Sequence, residues 1–332
     1  MASNPEVVVV TGASAGVGRA IVREFARQGA RVGLISREEG RLQDAAWEVS
    51  ALGGEALVLP CDVSDSHAVE QAAAKVAQRW GHIDVWVNCA MVTVFAPVME
   101  TTASEYRRVM DVTFLGFVHG TQSALRRMRP RGRGTVVQVG SALAFRGIPL
   151  QSAYCSAKHA LIGFTESLRC ELRHDKSPLH ITTVDLPGMN TPQFDWSRSK
   201  MPRQAQPVPP IYQPEVAARA VVWAAHHQRR SIWVGIPTVK TIIGNRLVPG
   251  WLDRYLARVG YTKQMSDEPR DTHRPDNLLT PVPGDPGAHG RFDARARRHS
   301  VQLWANLHRA WLAAAAVVGV TSAAALGARH RG

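Results

Sequence analysis

A chain of 332 residues, 45% hydrophobic and 20% charged, is long enough for one large α/β domain or two small ones and has the composition of a globular protein with a substantial core. Its net charge of +13 is spread along the chain instead of gathered in one block, which speaks against a specific nucleic-acid surface and suits an anionic cofactor or an anionic membrane face. The cysteines Cys61, Cys89, Cys155 and Cys170 have no C-x-x-C spacing, so they read as reduced, buried thiols. Residues Met1 to Glu6 lack the basic and apolar regions of a secretory signal, and with the thiols they predict a cytoplasmic protein.

In chain order, Glu6 to Thr11 is a β-branched run, followed by a turn containing Gly12, Ser14, Gly16, Val17 and Gly18 and by a helical pattern from Arg19 to Gly29. Strand, glycine-rich turn and helix predict a dinucleotide site: the glycines let the backbone approach a pyrophosphate, whose charge the exposed amides of the helix start favour. A second strand, Arg31 to Ile35, ends in Ser36-Arg37. An acidic residue there would accept from free ribose hydroxyls, whereas a hydroxyl and a planar guanidinium suit a phosphate, so NADP is predicted over NAD. The alternative is that Arg37 is a solvated residue opening the next helix.

The third strand, Ala56 to Leu59, leads through Cys61-Asp62-Val63 to a helix from about Asp65 to Trp80, which Asp62 is placed to cap. A fourth buried strand, Ile83 to Asn88, runs into Cys89-Ala90-Met91, and residues 102–128 form one long helix opened by a capping pattern at Thr102 and Glu105. The basic run Arg126 to Gly134 is a solvated loop before the fifth strand. Ser141 emerges at the carboxyl end of that strand, where open α/β sheets bind their ligands. In the following helix, about 153–173, Tyr154 and Lys158 are four apart and share a face, so the ammonium is placed to favour the ionised phenol. The later face of this helix reads as apolar enough to pair with a second copy.

A sixth strand, Ile181 to Asp185, ends in Leu186-Pro187-Gly188-Met189-Asn190-Thr191, and residues 189–214, rich in Pro, Gln and basic side chains, form a substrate lid. Phe194, Trp196 and Met201 either face an apolar substrate or anchor this lid. A helix from about Pro214 to Gln228, a seventh strand at Ser231 to Val234 and a helical region from Thr238 to Val259 complete the pattern. His226-His227 has no partner spacing for a metal, so the pair reads as a helix end and no metal is expected.

Thr11-Gly12-x-x-x-Gly16-x-Gly18, taken with Ser141, Tyr154 and Lys158, resembles the short-chain dehydrogenase/reductase family over about residues 5–240. The resemblance implies a doubly wound α/β Rossmann fold with a mainly parallel seven-stranded sheet flanked by helices. It implies a homodimer or other homo-oligomer and an NADP(H)-dependent oxidoreductase for a small carbonyl or secondary-alcohol substrate. Tyr154 would be the general acid/base, Ser141 its partner at the substrate oxygen, and Lys158 a ligand of the nicotinamide ribose. Asp62 and Val63 would contact the adenine, Asn88 would steady the sheet with Ala90 beside the cofactor, Pro187 and Gly188 would lie over the nicotinamide, and Thr191 would reach the phosphates or carboxamide. Two positions depart from the pattern: Met91 stands where the family has Gly, and Thr113 where it has an Asn that helps hold a water relaying protons to the lysine. Thr113 is therefore counted with the catalytic residues, and it motivates a competing reading, a nucleotide-binding scaffold or sensor with little catalysis.

These expectations divide the chain into a catalytic domain at 1–262, a Pro/Gly-rich and basic linker at 263–298, and a C-terminal helix at 299–332. Residues 310–328 contain no charge; the segment fits either a marginal membrane anchor or an Ala-rich helix packed on protein. The aromatic lid and this segment together suggest an apolar substrate.

Overall fold

In the computed structural model, which describes residues 5–309 and Trp311, seven short hydrophobic runs form one parallel sheet. Its strands and helices in chain order begin with β1 (Val7–Thr11), α1 (Gly16–Ala26), β2 (Arg31–Ser36), α2 (Glu39–Ala51), β3 (Glu55–Pro60), α3 (Ser66–Trp80) and β4 (Val85–Asn88). They continue with β5 (Val94–Phe95), α4 (Ala103–Met110), α5 (Gly116–Met128), β6 (Thr135–Ser141), α6 (Ser152–His174) and β7 (His180–Leu186). The lid region holds α7 (Gln193–Trp196), β8 (Arg198–Ser199), β9 (Arg203–Ala205) and β10 (Ile211–Tyr212). Then follow α8 (Pro214–His226), β11 (Ser231–Trp233), α9 (Gly235–Leu247), α10 (Pro249–Gln264), β12 (Met265–Pro269), β13 (Ala296–Arg297) and α11 (Val301–Leu307).

The central order is β11-β7-β6-β4-β1-β2-β3, and every neighbouring pair is parallel. This is the doubly wound fold, with its crossover between β1 and β4. Parallel strands buried on both faces need continuous apolar runs, and Val7 to Val10 are all fully buried. One apolar cluster lies between the sheet and α1, α2 and α8; a second lies on the opposite face beneath α3, α5 and α6.

A single buried amide ties the middle strands to the helix above them. Asn88 Oδ1 accepts from Trp86 Nε1 at 2.8 Å, while Nδ2 donates to Gln138 Oε1 at 2.9 Å and to Thr121 Oγ1 at 3.1 Å. A Cβ on Gly120 would come within 2.2 Å of Asn88 Oδ1, so glycine lets α5 close over the network.

Several expectations need correction. The helix expected across 102–128 is interrupted by a π-turn at Asp111–Leu115, and the region from Thr238 breaks into α9 and α10 at Val248-Pro249, because Pro cannot continue a helix interior. Helix α3 is capped by Asp65, which accepts from the His67 and Ala68 amides, and not by Asp62. The outward positions of α6 include Ser156, His159, Glu166, Ser167 and Glu171, which is not the apolar pairing face expected. Cys170 is exposed, though Cys61 and Cys155 are buried as anticipated.

The largest difference concerns residues 263–298. This stretch is not a free linker but a strap folded back on the core. Its β12 pairs antiparallel with β9, Met265 opposite Ala205, and its β13 pairs with β10. Leu278 is fully buried, and Phe292 joins Phe95 and Phe194 in a small third core. Polar composition hid the fold-back, because the carbonyls of the strap are satisfied by arginines from distant elements.

Candidate active site

A cleft with a cavity volume of about 1090 Å³ runs along the carboxyl ends of the parallel strands. It begins at the glycine-rich turn. Gly12 has φ +71°, and a Cβ there would meet the Ala90 Cα at 2.9 Å; a Cβ on Gly18 would sit 2.0 Å from the Gly12 carbonyl oxygen. Both positions exclude any other residue, so the turn and the loop after β4 lie backbone to backbone. Thr11 closes the junction by accepting from the Cys89 and Ala90 amides. The N-cap of α1, Ala15, supplies no side-chain acceptor, and the Val17 and Gly18 amides have no acceptor among the described residues. Free amides at a helix start are an anion site.

Beyond the turn the wall is basic. Ser36, Arg37 and Arg41 line the cleft with Asp62 and Val63. Asp62 is held by Arg108 at 2.6 Å and by the Ser64 hydroxyl at 2.7 Å; these contacts outweigh burial and keep its carboxyl below the usual range. Burial, with Arg108 and Arg41 nearby, lowers the pKa of Arg37. Arg41 is almost wholly buried, stacks on the Trp196 ring at 4.9 Å, and leaves its Nη2 without a partner among the described residues.

At the other end stand the three groups singled out from the sequence. Ser141, at the end of β6, caps the following turn by accepting from the Leu143 amide at 3.1 Å, and it lines the cleft with Tyr154, whose pKa it pulls down. Burial pushes the phenol's pKa above its ordinary value, with Ser141 opposing. Lys158 is fully enclosed and its pKa is lowered to about 8 by burial. It donates to the Val139 carbonyl at 2.8 Å and lies 4.3 Å from the centre of the Phe117 ring. It is 5.8 Å from the centre of the Tyr154 ring, and the phenol's pKa is shifted upward by burial and not downward by this ammonium.

Thr113 does not face the cleft. It is fully buried in the π-turn, where its hydroxyl donates to the Val92 carbonyl at 2.9 Å and accepts from the Val92 amide at 3.1 Å. Its place is structural, clamping the loop that carries Ala90 and Met91. Asn88 likewise lies under the cleft and not in it. Gly12, Ser14, Gly16, Val17, Gly18, Ala90, Pro187, Gly188 and Thr191 all line the cavity with Ser141, Tyr154 and Lys158. In the lid, Phe194 packs on Phe95 and Phe292 and also lines the cleft, Met201 joins the same cluster as an anchor, and Trp196 serves the basic wall.

Sequence reasoning missed two features. One is Asp185, buried at the end of β7: burial raises its carboxyl to about 7 against the pull of Lys158, and one of its oxygens has no partner among the described residues. The other is the strap, which roofs the nucleotide end. Arg37 donates to the carbonyls of Asn277 at 2.6 Å and Leu279 at 2.9 Å, Arg108 to that of Leu278 at 2.9 Å, and Arg41 to that of Gly284 at 2.6 Å. The Gly16 amide donates to the Gly287 carbonyl at 3.0 Å. The apolar pair Leu278-Leu279 inside a polar run was the one available signal.

The comparisons with known proteins agree with this geometry. The family model for short chain dehydrogenase matches residues 6–202. The chain belongs to the short-chain dehydrogenase family. This oxidoreductase is 34% identical over 266 residues to YxnA of Bacillus subtilis (strain 168), described as an uncharacterized oxidoreductase, across 80% of this chain and 75% of that one. It is 28% identical over 221 residues to a fatty acyl-CoA reductase of Acinetobacter baylyi, covering 66% and 72% of the two chains. Among solved structures, the alcohol dehydrogenase of the archaeon Thermococcus sibiricus, complexed with 5-hydroxy-NADP, superposes with a TM-score of 0.61 at 25% identity over 70% of this chain and 96% of that one.

Because Leu278 holds the strap in the core, Leu278→Ala should weaken that closure by roughly 2 kcal/mol. Tryptic cleavage after Arg270 is then expected to accelerate by about 30-fold while global unfolding in urea changes far less. Equal cleavage rates in parent and variant would show that the strap is held elsewhere.

Proposed function

We propose that this oxidoreductase reduces a carbonyl on an apolar substrate with NADPH, Tyr154 acting as the proton donor. The observation that carries the reading is the conjunction of Ser141, Tyr154 and Lys158 at one end of a single cleft with free helix-start amides and the buried Arg41, whose Nη2 has no partner among the described residues, at the other. The residues present fit a dinucleotide: the Val17 and Gly18 amides would take the diphosphate, Arg41 with Ser36 and Arg37 the 2′-phosphate, and Lys158 the nicotinamide ribose. When bound, NADPH would supply the hydride for the carbonyl carbon.

The chain's own residues do the rest. A phenol whose pKa is raised by burial is protonated at neutral pH and can act as the proton donor that a carbonyl reduction needs. Ser141 is placed to share the substrate oxygen with the Tyr154 hydroxyl. The Lys158 ammonium, with one of its three donors used on Val139, adds positive charge where negative charge develops on oxygen. Asp185 in turn raises the pKa of Lys158 and helps it to remain charged. The fatty acyl-CoA reductase among the relatives and the apolar residues of α9 and α10 lining the cleft, among them Val248, Leu252, Leu256 and Val259, support an apolar substrate. The NADP analogue bound in the Thermococcus sibiricus enzyme supports the cofactor. The Thr113 hydroxyl is spent on Val92, so what counts against a non-catalytic scaffold is the presence of Ser141, Tyr154 and Lys158 together in the cleft.

Tyr154→Phe is expected to bind NADPH like the parent and to lose turnover by at least about 100-fold; substantial turnover on a verified ketone or aldehyde would remove Tyr154 from the acid role. Arg41→Ala should weaken NADPH about 10- to 100-fold, the range for a charged hydrogen bond, with little change for NADH. Parallel losses for the two nucleotides would mean that Arg41 does not read the phosphate.

The pH profile gives a further check. Lys158 is charged below about 8 and neutral above it, so the reduction rate should fall as pH rises through that value. Removing the Asp185 charge in Asp185→Asn takes away a contribution that raises the lysine pKa, and the alkaline limb should move to lower pH. A limb that stays in place or moves upward contradicts the pairing.

A further inference from the structure

Around the mouth of the cleft, along α9 and α10, the surface breaks the usual rule that large apolar side chains are scattered singly. Helix α9 exposes Ile236, Lys240, Ile243 and Leu247 at helical spacing, and the corner into α10 adds Val248 and Trp251. Leu247 is 74% exposed, Trp251 58% and Ile243 45%. Trp251 stacks on Tyr255 with ring centres 5.3 Å apart, and Tyr255 receives a hydrogen bond from Lys263 at 2.7 Å. The charges interleaved with these residues are nearly all of one sign. Lys240, Arg246, Arg254, Arg258 and Lys263 are basic, and Asp253, the single acidic residue between 235 and 264, is paired with Arg146.

We infer that the α9–α10 corner is a membrane-docking surface that seats the mouth of the cleft in the headgroup–acyl boundary of an anionic bilayer, from which an apolar carbonyl substrate enters; this rests on the apolar-substrate reading above. An exposed apolar ridge with Trp and Tyr beside a basic face is the chemistry of an interfacial helix. Charge selects the occupant: a second copy packed symmetrically on this corner would bring Arg246, Arg254 and Arg258 toward their own counterparts, whereas anionic headgroups neutralise them. The ridge is also continuous with the site. Ile236, Lys240, Val248, Trp251 and Tyr255 line the cleft as well, so the lipid surface and the substrate path share a rim.

Two further observations bear on the same face. Helix α11 packs beside α9 and exposes Val301 and Trp304, and the uncharged run 310–328 follows it in the chain. That run lies outside the described residues apart from Trp311. Among the described residues no helix is long and apolar enough to cross a membrane, so the surface acts by lying on the bilayer. In addition, Asn245 of α9 donates to the Phe145 carbonyl at 2.8 Å and accepts from Arg146 at 3.1 Å, which couples the docking helix to the loop following Ser141.

The test is flotation of the full chain with vesicles of phosphatidylcholine alone and with about one third phosphatidylglycerol, at low and high salt. Ile243→Glu/Leu247→Glu, two positions outside the cleft lining, should lower partitioning onto anionic vesicles about tenfold or more. Arg254→Glu/Arg258→Glu should do the same and abolish the salt dependence. NADPH titration and turnover of a water-soluble ketone, measured on the same preparations, should be unchanged in both variants and certify that they fold. Flotation of the variants equal to the parent overturns the inference, as does absence of parent flotation accompanied by a dimer that the apolar variant dissociates. Vesicle binding that follows these substitutions supports the surface even if no ketone is turned over, and that second result would count against the reductase reading alone.

Discussion

Arginine guanidinium cannot shed its charge in a protein, so each one that is buried must be given acceptors. Arg19, Arg37, Arg41 and Arg108 converge at the nucleotide end of the sheet, and the way their donors are satisfied organises much of the molecule. Arg19, buried behind the glycine-rich turn, is met by Glu48 at 2.8 Å and by Asp285 of the strap at 3.2 Å. Arg108 is met by Asp62, and backbone carbonyls between Asn277 and Gly284 take further donors of Arg37, Arg41 and Arg108, leaving Arg41 Nη2 without an acceptor among the described residues. The strap carries few large apolar side chains, but it offers a row of carbonyls and buries Leu278. The last part of the chain is thereby made a wall of the site built by its first third.

The two ends of the cleft follow opposite electrostatic logic. At the nucleotide end, excess positive charge and open amides await an anion. At the catalytic end, burial dominates: it raises the pKa of the Tyr154 phenol, lowers Lys158 to about 8 and raises Asp185 to about 7. The proposed delivery of a proton to a forming alkoxide rests on that setting. The mouth of the cleft is apolar and basic, which is the observation behind the proposed apolar substrate and docking surface.

The doubly wound sheet was legible in the sequence because parallel strands buried on both faces write themselves as apolar β-branched runs separated by helical periods. That Gly12, Gly16, Gly18, Ser141, Tyr154 and Lys158 would line one cleft was legible because their placement depends on spacing along one strand or one helix. Thr113 was misjudged: a hydroxyl in a π-turn is spent on Val92, and nothing in the residue order announces that turn. The strap was misread as a linker because a polar, proline-rich run carries no periodicity, and the arginines that hold it, Arg37, Arg41 and Arg108, lie far away in the chain. Asp185 was passed over because a carboxylate at the end of a buried strand draws notice only once Lys158 is seen facing it.

The central claim is hydride transfer to a carbonyl in this cleft, and isotopic transfer reports on it most directly. NADPH carrying deuterium at the nicotinamide C4 would be incubated with the full chain and a panel of apolar ketones and long-chain aldehydes, and the products weighed by mass spectrometry. The expected result is one deuterium on the carbinol carbon of a product, with none in Tyr154→Phe. Tight NADPH binding without transfer of the label to any carbonyl in the panel would contradict the account.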